Sequence, residues 1–318
     1  MNNRQRLWLL GLILLAFALR VYRLDAQSLW YDEGVTAEIA QRTLADLTSW
    51  TARDIQPPLY YYVIWLWGRL AGWTEWSLRF PSVFTGVLTA PMLAILALKL
   101  SGNRRAGVVA ALIAALHPLL LYYSQEARMY SLLTMLGVLM GVGLLRGVGK
   151  GRGEGARAQR WMLYVGSATA ALYTHYFAFF LLLAFILYIL FLLFSCGPIR
   201  NSPRHPVILS PLHLVTLSPL LLYLPWLFIM FTQLSTDASY WQGSFKLWEA
   251  LRHVLISFSS GETVLEPQAI RLLIGYGLVT IVAAIGLALH YSIRHWLLSL
   301  LWLLIPVAGV LDAGALCA

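Results

Sequence analysis

The chain alternates long apolar runs with short polar breaks. A helix needs about 20 residues, at 1.5 Å each, to cross a hydrocarbon layer of roughly 30 Å. Runs near that length fall at 7–24, 80–100, 106–123, 130–146, 161–176, 177–195, 207–231, 268–290 and 296–314. They predict an all-α polytopic membrane protein, a single domain over 1–318 built as a bundle of about nine transmembrane helices. The long run 161–195 must hide a tight turn near His175-Tyr176. The first run follows Arg4 and Arg6 and meets Arg20-Val-Tyr-Arg23 with no small-residue cleavage site, so it reads as a retained span in the plasma membrane.

Segment 58–72 decides the arrangement, because every later loop changes side if it spans. It is short, ends near Arg69 and is rich in Trp and Tyr, residues that favour the headgroup level, so it reads as an interfacial helix. Cytoplasmic ends then hold Arg4, Arg6, Lys99, Arg104, Arg105, Arg146, Arg200, Arg204, Arg294 and the basic loop 147–160, against one acid, Glu154. The other arrangement moves Arg104 and Arg105 outside and parts Asp32 from Glu126. The positive-inside rule favours the first, with the N-terminus cytoplasmic. Of the 14 acids, all but Glu154 and Asp312 then lie on the external side.

Composition agrees. The 318 residues are 59% hydrophobic and 12% charged, about half the charge of a soluble domain, so the solvent is lipid. The net charge of +9 sits in short loops between spans and does not point to nucleic acid. Cys196 and Cys317 offer neither a disulfide framework nor a metal spacing. No Gly-rich phosphate loop, HExxH or Cys/His set appears, which argues against a nucleotide-using enzyme.

The candidate chemistry lies in the external loops. The first, 25–79, carries Trp-Tyr-Asp32-Glu33-Gly34, an amphipathic stretch from Thr36 to Trp50, and Asp54-Ile-Gln-Pro57-Pro58-Leu-Tyr60-Tyr61. Asp32 and Glu33 are adjacent and point apart, so one can serve as base or ligand while the other orients it. Equally, both can stabilise the start of a helix near Val35. Asp54 is a second carboxylate or a turn residue. The second loop is Tyr122-Tyr-Ser-Gln125-Glu126-Ala-Arg128-Met-Tyr130. Glu126 and Arg128 read either as an ion pair closing a hairpin or as an anion site, since the guanidinium fork suits a phosphate. Arg79 either snorkels from a span end or joins that site. His175 is either a hydrogen-bonded structural residue or part of the cavity. The external segment 232–266, with Tyr240-Trp241, reads as a loop capping a cavity and carries no evident chemistry.

These motifs, with Glu75-Trp-Ser-Leu-Arg79-Phe-Pro-Ser82 between them, resemble bacterial members of the protein O-mannosyltransferase-like branch of the GT-C glycosyltransferases. That superfamily includes the aminoarabinose lipid A transferases and the catalytic subunits of oligosaccharyltransferases. The resemblance covers roughly residues 1–180. It implies a GT-C-like bundle in the cell envelope, a polyprenyl-phosphate sugar donor, an external active site and inverting transfer to a hydroxyl on a glycan, lipid or protein. It makes Asp32 the base, with Glu33 its neighbour. Arg128, Glu126, Arg79, Gln125, Tyr130, Asp54, Tyr60 and His175 become donor-phosphate or substrate residues. It leaves a divalent metal open. Ile55-Gln56 stand where the aminoarabinose branch has Glu-Lys, which turns the expectation away from lipid A. Family members continue through further spans, so an end at Ala318 suggests a shortened chain. The rival expectations are a transporter or flippase for a lipid-linked glycan, and an inactive homologue.

Overall fold

A computed structural model describes residues 3–148, 154–195, 206–236, 247–261, 266–290 and 293–316. These form fourteen helices: α1 Asn3–Val21, α2 Tyr31–Gln41, α3 Leu44–Thr51, α4 Leu59–Ala71, α5 Glu75–Ser101, α6 Arg104–Leu116, α7 Pro118–Ser124, α8 Tyr130–Val148, α9 Glu154–Leu172, α10 Ala178–Ser195, α11 Pro206–Thr236, α12 Leu247–Ser260, α13 Glu266–His290 and α14 Ile293–Leu316. Each predicted span falls on a helix or, for 106–123, on a bent pair. Among the described residues, α5, α8, Val215–Gln233 of α11 and Gln268–Gly286 of α13 are long and apolar enough to cross a membrane. The pair α6 and α7, bent by 56°, makes a fifth if counted as one span. The chain is an integral membrane protein.

Helix α5 is the axis of the N-terminal half, packed by α1, α4, α6, α7 and α8. Pro81 cannot donate to the Ser77 carbonyl one turn back. Trp67 Nε1 of α4 donates to that carbonyl instead, at 2.9 Å. Thus α4 lies across the end of α5. It has 13 residues, about 20 Å of rise, too short for a span. It turns Tyr60, Tyr61 and Ile64 inward, and Leu59 N, at its start, donates to Tyr173 O at 2.9 Å.

The second half packs α8 against α9 and α10, with α11 and α14 alongside. Met140, Leu144, Tyr164, Phe185 and Tyr223 form its core. Small residues let α8 and α9 approach closely, as is common in membranes: a Cβ on Gly143 would stand 2.6 Å from Tyr164 N.

The amphipathic stretch Thr36 to Trp50 forms two helices, because Thr43 interrupts it and caps α3 by accepting from Asp46 N at 3.1 Å. The structure corrects other readings. Helix α2 starts at Tyr31 rather than near Val35, so Asp32 and Glu33 lie inside its first turn. The segment 232–266 is not simply a loop, since it contains the 14-residue α12. Of the expected basic loop 147–160, residues 154–160 instead open α9, while 149–153, Tyr240, Trp241, Cys196 and Cys317 lie outside the described residues.

Candidate active site

Glu33 is the hub of the polar end of the bundle. Its side chain is fully buried. Oε1 accepts from Arg79 Nε at 2.9 Å and from Ala127 N at 2.7 Å. Oε2 accepts from Arg79 Nη2 at 2.7 Å and from Trp30 N at 3.3 Å, the reach back to the helix start that a third-position Glu makes. One carboxylate thereby joins α2, α5 and the second loop. Arg79 also donates to the carbonyls of Leu24 (2.7 Å), Gln27 (2.9 Å) and Ser28 (3.2 Å). All five guanidinium N–H groups are used, so none remains for a phosphate. The expectation that Arg79 contacts donor phosphate gives way to an architectural role.

Asp32 behaves differently. Its side chain is 34% exposed, and Oδ2 lies 3.2 Å from Arg128 Nη2. The Arg128 guanidinium faces the Tyr130 ring at 5.8 Å, and its Nε is buried without a hydrogen-bond partner among the described residues. An unpaired buried donor on a cation costs free energy, and an incoming anion relieves it. The backbone under Arg128 is fixed. Ser82 Oγ donates to the Arg128 carbonyl at 3.1 Å, so the Tyr60 hydroxyl, 3.0 Å from Ser82 Oγ, must be the donor of that pair. Burial raises the pKa of the Tyr60 and Tyr61 phenols, keeping them neutral.

Glu126 is 7% exposed and, among the described residues, forms no ion pair with Arg128, which pairs with Asp32 instead. Burial raises the Glu126 pKa to about 7; Glu33 adds to the rise, and a Tyr122 hydrogen bond, Arg128 and Arg79 oppose it. Gln125 does not face the site, because its Nε2 donates to the carbonyls of Arg20 (3.1 Å) and Tyr22 (2.9 Å). Asp54 is half-buried, and its charge is felt by Tyr61 and Tyr176. His175 lies in the 173–177 turn, its ring 6.1 Å from that of Tyr130. No group of three or more His, Cys, Asp or Glu suited to a metal occurs among the described residues.

Arg20 is a polar residue that the sequence pattern missed. It is fully buried and donates to Ala114 O (3.0 Å), Ala115 O (3.2 Å), Ala16 O (3.1 Å) and Ser124 Oγ (3.1 Å). It caps the C-terminal carbonyls of α6, where the negative end of the helix dipole favours a cation, and holds the break before Pro118. The available signal was an arginine within the predicted span 7–24, used there only to argue against a cleavage site.

The fold has solved counterparts. ArnT from Cupriavidus metallidurans in the apo state superposes with a TM-score of 0.62 at 16% identity, over 99% of this chain and 60% of that one. The S. cerevisiae protein O-mannosyltransferase Pmt1–Pmt2 complex, bound to its sugar donor, gives 0.59 at 16% identity, over 74% of this chain and 34% of that one. The archaeal oligosaccharyltransferase AglB from Archaeoglobus fulgidus gives 0.55 at 15% identity, over 98% and 39%. All three are GT-C glycosyltransferases, so the expected fold is the fold found. This chain spans between about a third and three fifths of their lengths. No curated protein sequence matches it. Residues 55–223, a stretch that holds Arg79, Glu126, Arg128 and His175 and begins after Asp32, match the family described as dolichyl-phosphate-mannose-protein mannosyltransferase, and the chain belongs to that family.

Proposed function

We propose that the chain transfers a sugar from a polyprenyl-phosphate donor to an acceptor hydroxyl on the external face of the membrane, with inversion. One observation carries this reading. Of two adjacent carboxylates, Glu33 is enclosed by Arg79 and Ala127, while Asp32 stays partly exposed beside an arginine with an unpaired N–H. In the resting site Arg128 neutralises Asp32. A donor phosphate entering next to Arg128 competes for its N–H groups and frees Asp32. The acceptor oxygen then attacks the anomeric carbon, its proton passes to Asp32, and the bond from that carbon to the phosphate oxygen breaks. The electron pair leaves on the polyprenyl phosphate, where Arg128 stabilises it. A general base contributes typically 10²- to 10⁴-fold. Arg79, through Glu33, fixes the geometry of both loops. Helix α4 lies at the interface and brings donor and acceptor to one surface, lowering the entropic cost of their meeting.

The test is reconstitution in vesicles with a panel of labelled polyprenyl-phosphate sugars and candidate acceptors. Transfer of the sugar to an acceptor supports the reading. Movement of the intact lipid-linked sugar across the bilayer, or no change with any donor, contradicts it.

A further inference from the structure

Arg20 is a buried cation in an apolar run, and the transfer described above makes no use of it. Ionisable residues in such runs are costly and mark function. Among the described residues Arg20 has no ion pair. Its partners are neutral oxygens on α1, α6 and α7. Two of those bonds follow from Pro118. A continued helix would give the N–H of residue 118 to Ala114 O, and proline has none. Arg20 Nη2 donates to Ala114 O instead, at 3.0 Å, and Nη1 donates to Ala115 O at 3.2 Å. The guanidinium thus sets the start of α7, which bends from α6 by 56°.

Arg20 also holds the other end of α7. The Ser124 hydroxyl donates to Leu120 O, so it accepts from Arg20 Nε, at 3.1 Å. Gln125, the next residue, donates its amide to the Arg20 carbonyl at 3.1 Å. Helix α5 leaves room for this junction with Gly86, where a Cβ would overlap Ser124 Oγ and stand 2.9 Å from Arg20 Nε. Helix α7 has seven residues, about 10 Å of rise, and both its ends are fixed by one arginine. From Gln125 the chain runs directly to Arg128. Ala127 N on Glu33 Oε1 and Ser82 Oγ on Arg128 O hold the exit of that loop; Arg20 holds its entry.

We propose that Arg20 is a positioning residue for transfer: by fixing both ends of α7 it sets where loop 125–129 presents the Arg128 guanidinium to the donor phosphate. This rests on the role given to Arg128 above. Arg20 itself touches no substrate. Misplacing a positioning group by 1 Å costs about 10²-fold in rate, so a rigid entry to the loop matters. Lysine keeps the charge but lacks the fork, so it serves the α6 carbonyls or Ser124 and not both.

A double-mutant cycle separates positioning from support of the fold. Full-length wild type, Arg20→Lys, Arg128→Ala and the double variant are compared in nanodiscs for their Kd with undecaprenyl phosphate. Arg20→Lys is expected to bind about 10-fold more weakly than wild type, and the double variant within about 3-fold of Arg128→Ala, because a residue that acts through another is not additive with it. A residue that only supports the fold weakens binding by the same factor on both backgrounds, and that result overturns the proposal. Wild-type affinity in Arg20→Lys beside weak binding by Arg128→Ala also overturns it. If Arg20→Lys does not fold, Ser124→Ala, which removes only the link to the end of α7, takes its place in the cycle. About 3-fold weaker binding is then expected on the wild-type background and no further loss on Arg128→Ala; equal loss on both, or none on either, overturns the proposal. Wild-type affinity in Arg128→Ala, or a wild type that does not bind undecaprenyl phosphate, overturns the phosphate role of Arg128 and this proposal with it.

Discussion

At the scale of residues, the division of labour between Asp32 and Glu33 follows from what each side chain touches. Glu33 and Arg79 form a buried, hydrogen-bonded pair at 2.7 Å. Removing one partner of such a pair leaves an uncompensated charge and costs about 3–5 kcal/mol. Glu33→Gln should therefore lower the melting temperature and the yield of folded protein well before it informs on catalysis, and a thermal melt in detergent checks this. Glu126 makes a second prediction. Its folded pKa of about 7 lies above the ordinary carboxyl value of 4.5, so between those values the folded state binds more protons than the unfolded one. Stability then falls as pH rises through that window. Melting curves of wild type should decline from pH 5 to 8, and Glu126→Gln should flatten that decline. The sequence made the polar residues of this site visible but left their roles open. Glu33 is fixed by partners 46 and 94 positions away, and residue spacing carries no record of such contacts. The same blindness placed Gln125 in the substrate site, although its amide is spent on the carbonyls of Arg20 and Tyr22 at the end of α1 and just beyond it.

At the scale of elements, the apolar runs were legible because a helix in lipid must satisfy its own backbone and present apolar side chains over a set length. The breaks were less so. His117 is extended, with φ −64° and ψ 123°, as expected of a residue before proline, and this bends the run 106–123. Pro118 was visible in the sequence, but the arginine that stabilises the break comes from another helix. Helix α12 was missed although Trp248, Leu251, Leu255 and Phe258 recur at helical spacing. The close approach of α8 and α9 yields a prediction. Gly143→Ala puts a Cβ within 2.6 Å of backbone and should cost about 1–3 kcal/mol through overpacking. Gly166→Ala, with nothing within 4 Å of its Cβ, should leave the melt unchanged.

At the scale of the whole molecule, the loops 25–79, 122–130 and 173–177 meet at one end of the bundle, joined by Glu33 to Ala127 and by Leu59 to Tyr173. The sequence arrangement that keeps Asp32 and Glu126 on one face requires such a meeting. The arrangement in which α4 spans would part them. Of the adjacent pair Asp32 and Glu33 at that shared end, Asp32 is the carboxylate left partly open, and the central claim is that it takes the acceptor proton. The direct measurement is single-turnover sugar transfer by Asp32→Asn in reconstituted vesicles, with donor binding followed in parallel. The account predicts that donor binding persists while transfer falls by about 10²-fold or more; turnover at the wild-type rate would contradict it.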